Sequence, residues 1–254
     1  MIAPWIISHM PGHRVYTEAF GGAASVLLRK PRVYSEIYND LDGEVVNLFR
    51  VLRNPTQGRE LMRIVHLTPY AREEFQLSYI ADGDPVEQAR RTLFRSAAGF
   101  ATGGAGKYGT GFRTNSEKTG TVPASSWANI PSVIETITER LRGVIIENDQ
   151  AATVLRRFDS TKTLHYVDPP YVFSTRNKRN AGHVYKHEMT DEQHTELART
   201  LHGLKGYVML SGYQSDLYTE LYGDWHRIDR ETHADGGLDR TECLWINRTE
   251  KGLF

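Results

Sequence analysis

Short apolar runs recur at both ends of the chain, with spacing that alternates between extended and helical periods. VYTEAF (15–20), GGAA, SVLLRKP (25–31) and VYSEIYND (33–40) predict strand, tight turn, helix and strand in succession. A second helix follows, because Val45, Val46, Leu48, Phe49 and Leu52 fall on one stripe. From Gly143 the alternation resumes with the predicted strands VIIE (144–147), TLHYV (163–167), YVMLS (207–211) and CLWI (243–246). One helix between them is well marked. Thr190 and Gln193 form a capping box, Leu197, Leu201 and Leu204 line one face, and Gly203 and Gly206 stop it. Ser215 to Leu221 repeats the pattern in miniature. Such alternation implies an α/β fold, a mostly parallel sheet flanked by helices.

Residues 53–142 break the rhythm and read as an insertion between two βα blocks, 1–52 and 143–254. The stretch holds polar helical pieces (AREEFQLSY, DPVEQARRTLF) and a helix entered by Pro131 with Ile134, Ile137 and Leu141 on its apolar face. It also holds the Gly-rich segment FATGGAGKYGTGFRTNSEKTG, whose interleaved Lys, Tyr, Phe and Arg suggest a binding loop rather than a passive linker.

Composition narrows the classes. Counted without Tyr and with Gly, apolar residues make up about 43% of the 254, close to an ordinary globular chain. Lys plus Arg equal Asp plus Glu at 31 each, so any attraction for nucleic acid must be regional. The single cysteine, Cys243, permits neither a disulfide framework nor a multi-cysteine zinc site, and a reducing compartment is expected. With no long apolar run and no secretion-type start, the expectation is a soluble cytoplasmic protein. Of the ten histidines only His183 and His187 have helical i, i+4 spacing, and no HExxH pattern occurs, so no metal is expected.

Two motifs can carry chemistry. Phe20-Gly21-Gly22-Ala23-Ala24-Ser25 follows a strand, and Asp40 comes eighteen residues after Gly22. Small residues let the backbone approach a nucleoside, and an acid at the end of the next strand accepts ribose hydroxyls; a compact turn packed for close contact fits the same residues. Neither GxGxxG nor GxxxxGK[ST] is present, which disfavours a pyrophosphate or triphosphate ligand. The second motif is Asp168-Pro169-Pro170-Tyr171, directly after TLHYV. The two prolines hold the chain extended, so a carboxylate and a main-chain carbonyl can point outward beside an aromatic ring. That set suits an exocyclic amine on a heteroaromatic base. Two acceptors on its N–H groups localise a lone pair that is otherwise delocalised into the ring. Taken alone, the tetrapeptide also reads as an Asp-Pro turn.

Together these motifs, with SEIYNDLDGEVVNLFR, HYVDPPY, LSGY and RTECLWIN in that order, resemble the Dam-type (D12 class) DNA adenine-N6 methyltransferases over roughly 5–53 and 94–250. The resemblance implies a Rossmann-like methyltransferase sheet, residues 1–52 and 143–254, carrying a mainly helical target-recognition domain at 53–142. It implies S-adenosylmethionine as cofactor, S-adenosylhomocysteine as product, and duplex DNA as partner. An adenine would be flipped out for direct methyl transfer.

Matched by motif, Glu18, Ala19, Phe20, Gly22, Ala24 and Ser25 would shape the donor's methionine pocket. Asp40, with Leu41, would take the ribose, Glu36 being the competing acid. Asn148 and Asp149 would lie at the donor's adenine, although Asp149 equally reads as a helix N-cap. Asp168 and the Pro169 carbonyl would accept from N6, with Pro170 and Tyr171 completing the target site. Cytosine-N4 transfer, or a silent DNA-binding member of the fold, are the alternatives. Cytosine-C5 chemistry needs an accessible Cys nucleophile, whereas Cys243 sits in an apolar strand.

Two local basic excesses are candidates for holding DNA. Residues 90–118 carry a net +5 from Arg90, Arg91, Arg95, Lys107, Arg113 and Lys118 against Glu117. Residues 172–187 carry +4 from Arg176, Lys178, Arg179 and Lys186, which a solvated face or a lid would also explain. Tyr108, Phe112 and Asn115 could enter the duplex or read bases. The family commonly has a Gly-Gly-Lys segment just upstream of WII, whereas this sequence starts MIAPWIISH, and Ala24 replaces a common Gly. The first difference points to a start assigned too late or to weaker donor binding, and the second, smaller one bears on cofactor affinity alone. A monomer in a bacterial or phage context is the default expectation.

Overall fold

The computed structural model describes residues 2–99, 111–114, 122–175, 187–233 and 239–248. Seven strands form one sheet in the order β3-β2-β1-β4-β5-β7-β6. They are β1 (Val15–Glu18), β2 (Ser35–Asn39), β3 (Val144–Glu147), β4 (Thr163–Val167), β5 (Tyr207–Tyr213), β6 (His226–His233) and β7 (Asp239–Ile246). β1 pairs in parallel with both β2 and β4, and β4 with β5, while β7 runs antiparallel between β5 and β6. This is the Rossmann-like methyltransferase arrangement. β4 is buried at all five positions although Thr163 and His165 alternate with Leu164 and Tyr166; the two polar side chains are satisfied by the Phe158 carbonyl (2.8 Å) and by Thr17 (2.8 Å).

The chain divides into two compact units, Met1–Leu41 with Glu147–Ala181 and His187–Phe254, and Asp42–Ile146 with Gly182–Lys186. In the first, α8 (Ala151–Arg157), α9 (Asp191–His202) and α10 (Asp216–Tyr222) join the strands in a core that includes Leu155, Val167, Leu201, Leu210, Tyr218 and Trp245. Both bonds of the capping box at Thr190 and Gln193 are present, and Gly203 ends α9. α1 (Ala3–Ser8) holds the WII residues.

The second unit is helical: α2 (Gly43–Arg53), α3 (Pro55–Leu67), α4 (Arg72–Leu77), α5 (Pro85–Ala98), α6 (Pro123–Ala128) and α7 (Ile130–Leu141). Asp42, Asn54 and Asp84 cap α2, α3 and α5 through their side chains, satisfying amides that the first turn leaves without partners. α2 buries Val46, Phe49 and Leu52 of the stripe read from the sequence, and Val51 besides, while Val45 and Leu48 are half-buried.

One expected helix is absent. Residues 24–30 form successive turns rather than a helix over 25–31. Ala24 starts the segment in the left-handed region at φ 52°, and the amides of Leu28 and Lys30 reach back to the Ala24 and Val26 carbonyls (both 2.9 Å) before Pro31 ends the run. Among the described residues, no helix is long and apolar enough to cross a membrane.

Candidate active site

The parallel core of the sheet reverses its direction of winding between β1 and β4, the place where open α/β sheets bind ligands beyond the strands' carboxyl ends. Glu18 ends β1 opposite Tyr166 of β4, so Asp168 follows two residues beyond that pair. The expected donor and target residues of the first unit therefore gather at adjoining strand ends.

The turn after β1 is built around Asp40. Its carboxylate accepts from the Gly22 amide at 2.7 Å, and Gly22 holds φ at +46°, a conformation that favours glycine. Gly21 is fixed for a different reason. A Cβ there would meet the Tyr38 ring at 2.1 Å, and the Tyr38 hydroxyl itself donates to the Gly22 carbonyl at 2.7 Å. Phe20 is half-buried, Ser25 exposed, and Ala19 and Ala24 buried.

Asn39 is the fastener, a role that sequence reasoning did not assign. Fully buried, it donates to the Ala19 carbonyl (2.9 Å) and the Asp149 carbonyl (3.0 Å), and accepts from the Asp149 amide (3.0 Å). Asn148 donates to the Asp40 carbonyl at 2.7 Å. The ends of β1 and β2 and the loop after β3 are thus tied into one platform, with Leu41 half-buried at its edge. Asp149 is not the cap of α8, whose N-cap is Gln150. Its carboxylate instead accepts from the Gln150 amide (2.7 Å) and from Arg157 (3.0 Å), which also pairs with Glu147.

Glu18 is 2% exposed and accepts from the Tyr16 hydroxyl (2.7 Å) as well as from Leu27. Burial pushes its carboxyl up to about 8. Burial likewise pushes Asp168 up to about 6, against the pull of the Ser211 and Tyr166 hydroxyls. Ser211 Oγ donates to Asp168 Oδ1 at 2.8 Å. Pro169 is buried, Pro170 half-buried, and the Tyr171 ring packs on Tyr213 with centroids 4.5 Å apart. Ser211 and Tyr213 belong to LSGY, a motif visible in the sequence without an assignable role. Cys243 is fully buried, and burial pushes its thiol up to about 11, which leaves no thiolate for a nucleophilic route.

Three cations of the first basic excess, Arg90, Arg91 and Arg95, are buried and paired rather than exposed. Arg95 is 6% exposed, its guanidinium bonded to Glu44 and to the Ser78 carbonyl (2.9 Å), so it is not available to a phosphate. Arg90 pairs with Glu74 and Glu87, and Arg91 with Asp82 and Glu87. The acids that neutralise them, Glu44, Glu74, Asp82 and Glu87, all precede residue 90, outside the window of 29 residues in which the excess was counted. Phe112 stacks on Tyr70 at 5.0 Å, touches Phe75, and has the Arg72 guanidinium over its ring. Arg113 is exposed, its main chain held by Ala98 and by the Tyr70 hydroxyl (2.9 Å). Lys107, Tyr108, Asn115, Arg176, Lys178 and Arg179 lie outside the described residues.

No curated protein matches the chain. Among solved structures, a conserved hypothetical protein from Streptococcus pyogenes is similar over 97% of this chain and 93% of its own, at 10% identity and a TM-score of 0.34, a likeness too slight to bear on the fold. The family model for the D12 class N6 adenine-specific DNA methyltransferases matches residues 1–234. With Asp-Pro-Pro-Tyr at the end of β4 and the glycine turn anchored on Asp40 inside the matched span, the chain belongs to the D12 class of N6 adenine-specific DNA methyltransferases.

Proposed function

We propose that this DNA adenine methyltransferase uses S-adenosylmethionine and acts on an adenine flipped out of duplex DNA. The donor, when bound, supplies an electrophilic methyl group on a sulfonium. The platform fits such a nucleoside. Asp40 is half-buried at the rim of a turn whose Gly22 would meet nothing within 4 Å of an added Cβ. A carboxylate already holding one amide still has lone pairs for ribose hydroxyls. Leu41, Asn148 and Asp149 lie along the same tied edge, and Glu18, Ala19, Phe20, Ala24 and Ser25 surround the turn where the methionine end would sit.

The observation that carries the reading is the Asp168 carboxylate at the neighbouring strand end. With its carboxyl at about 6 it is largely ionised at neutral pH and acts only as an acceptor. Asp168 and the Pro169 carbonyl would then take the two N–H groups of the amine, turning its lone pair toward the methyl. Tyr171, backed by Tyr213, offers a stacking surface to a base whose extrusion costs a few kcal/mol. Positioning and fixed dipoles supply the rate.

The helical unit is the candidate for target recognition, with Arg113 among its exposed cations, joined by Lys107, Tyr108 and Asn115 and by Arg176, Lys178 and Arg179 on sequence grounds. The test is incubation with S-adenosylmethionine and unmethylated duplex DNA, digestion to nucleosides and mass spectrometry. N6-methyldeoxyadenosine is expected; N4-methyldeoxycytidine, or no methylated nucleoside, overturns the reading.

A further inference from the structure

We propose that Ser211 and Tyr166 are positioning residues for the reaction, a hydrogen-bonded relay from Tyr166 through Ser211 to Asp168 that fixes the acceptor carboxylate and keeps it anionic. The inference rests on the role given to Asp168 above. Tyr166 and Ser211 stand on the adjoining strands β4 and β5, each 3% exposed. Ser211 Oγ lies 2.8 Å from Asp168 Oδ1 and 3.0 Å from the Tyr166 hydroxyl oxygen.

A serine hydroxyl has a single proton. The shorter contact to an anion takes it, and the Val167 carbonyl, at 3.5 Å, is too distant to compete. With that proton committed to Asp168, Ser211 accepts from the Tyr166 hydroxyl, and the two donors stand in sequence behind the carboxylate.

Among the described residues no cation favours the charged form. The titratable groups acting there on Asp168 and Tyr166 are Tyr16 and Glu18 on β1, Tyr166 on β4, Tyr218 on α10 and Glu242 on β7, all acids. Among the described residues Asp168 makes no ion pair. Burial raises the carboxyl, and the two hydroxyls oppose that rise. Without them the group would protonate near neutral pH and become a donor, unable to accept from an amine. Ser211 contributes no atom to the reacting groups.

The experiment is a carbon-13 carboxyl titration of aspartate-labelled protein together with single-turnover methyl transfer across the same pH range. In Ser211→Ala the Asp168 midpoint should move to higher pH, and transfer at neutral pH should fall roughly tenfold, as expected for a lost hydrogen bond to a charged group. Ser211→Thr keeps the hydroxyl and should restore both. Tyr166→Phe should move the midpoint in the same direction by less.

A wild-type midpoint in Ser211→Ala, or transfer within twofold of wild type, overturns the relay. The titration reads the protein without turnover. A wild type that transfers no methyl while the variant's midpoint still moves therefore rejects the assigned reaction and leaves the relay standing.

Discussion

Two regions of this chain bury charge, and they do so in opposite ways. Along α5, Arg90, Arg91 and Arg95 are 5–8% exposed, each facing carboxylates from α2, α4 or their own helix, and the Arg90 and Arg91 hydrogen bonds hold Glu87 below the usual carboxylate range. At the strand ends Glu18 and Asp168 have no ion pair among the described residues, and both are pushed upward toward neutral pH. A buried charge that is fully paired is locked in one state and serves architecture. One held by neutral donors alone titrates where a cell operates and is poised for chemistry.

The contrast breaks most visibly at Asp168. Asp168→Ala should lower methyl transfer on the order of 10²–10³-fold while leaving DNA affinity in a gel-shift assay unchanged; near-normal transfer would mean that the unpaired carboxylate is not used. Next in size is Arg95→Ala, which removes the ion pair between Arg95 and Glu44. Because the Glu44 side chain is 26% exposed, the loss should be about 2 kcal/mol by urea denaturation, below that of a fully buried pair. Its DNA binding should keep the wild-type salt dependence, and a changed slope would return Arg95 to the DNA surface.

A third measurement sharpens the unpaired side. The native state holds the Glu18 proton up to about pH 8, whereas the ordinary value is 4.5, so the unfolded chain releases it earlier. Stability from this group is therefore complete below pH 4.5 and declines as pH rises toward 8. Comparing melting temperatures at both ends of that window, Glu18→Gln should show a smaller decline than wild type. The smallest effect belongs to Arg113→Ala. This exposed cation should reduce the slope of log K against log salt by about one and leave stability unchanged.

Periodicity and motif spacing made most of the catalytic unit legible. The strands β1 to β5 and β7 appear where short apolar runs sit between turns, and the box at Thr190 and Gln193 marks the start of α9. β6 was missed because HRIDRETH holds a single large apolar residue, Ile228; as the last strand of the sheet it pairs only with β7 and needs little apolar content. Residues 25–31 look helical by composition, yet Ala24 enters them in the left-handed region and Pro31 closes them after little more than one turn.

What the sequence determined alone was the order of elements and the identity of the chemical groups, since both follow from local periodicity and from residue types at fixed spacing. The tertiary structure decided which charges are spent and which remain available. Arg95 meets Glu44 across 51 positions, and Asp168 meets Ser211 across 43. The free energy of a charge depends on burial and on partners brought from distant segments, and no count along a window can supply either.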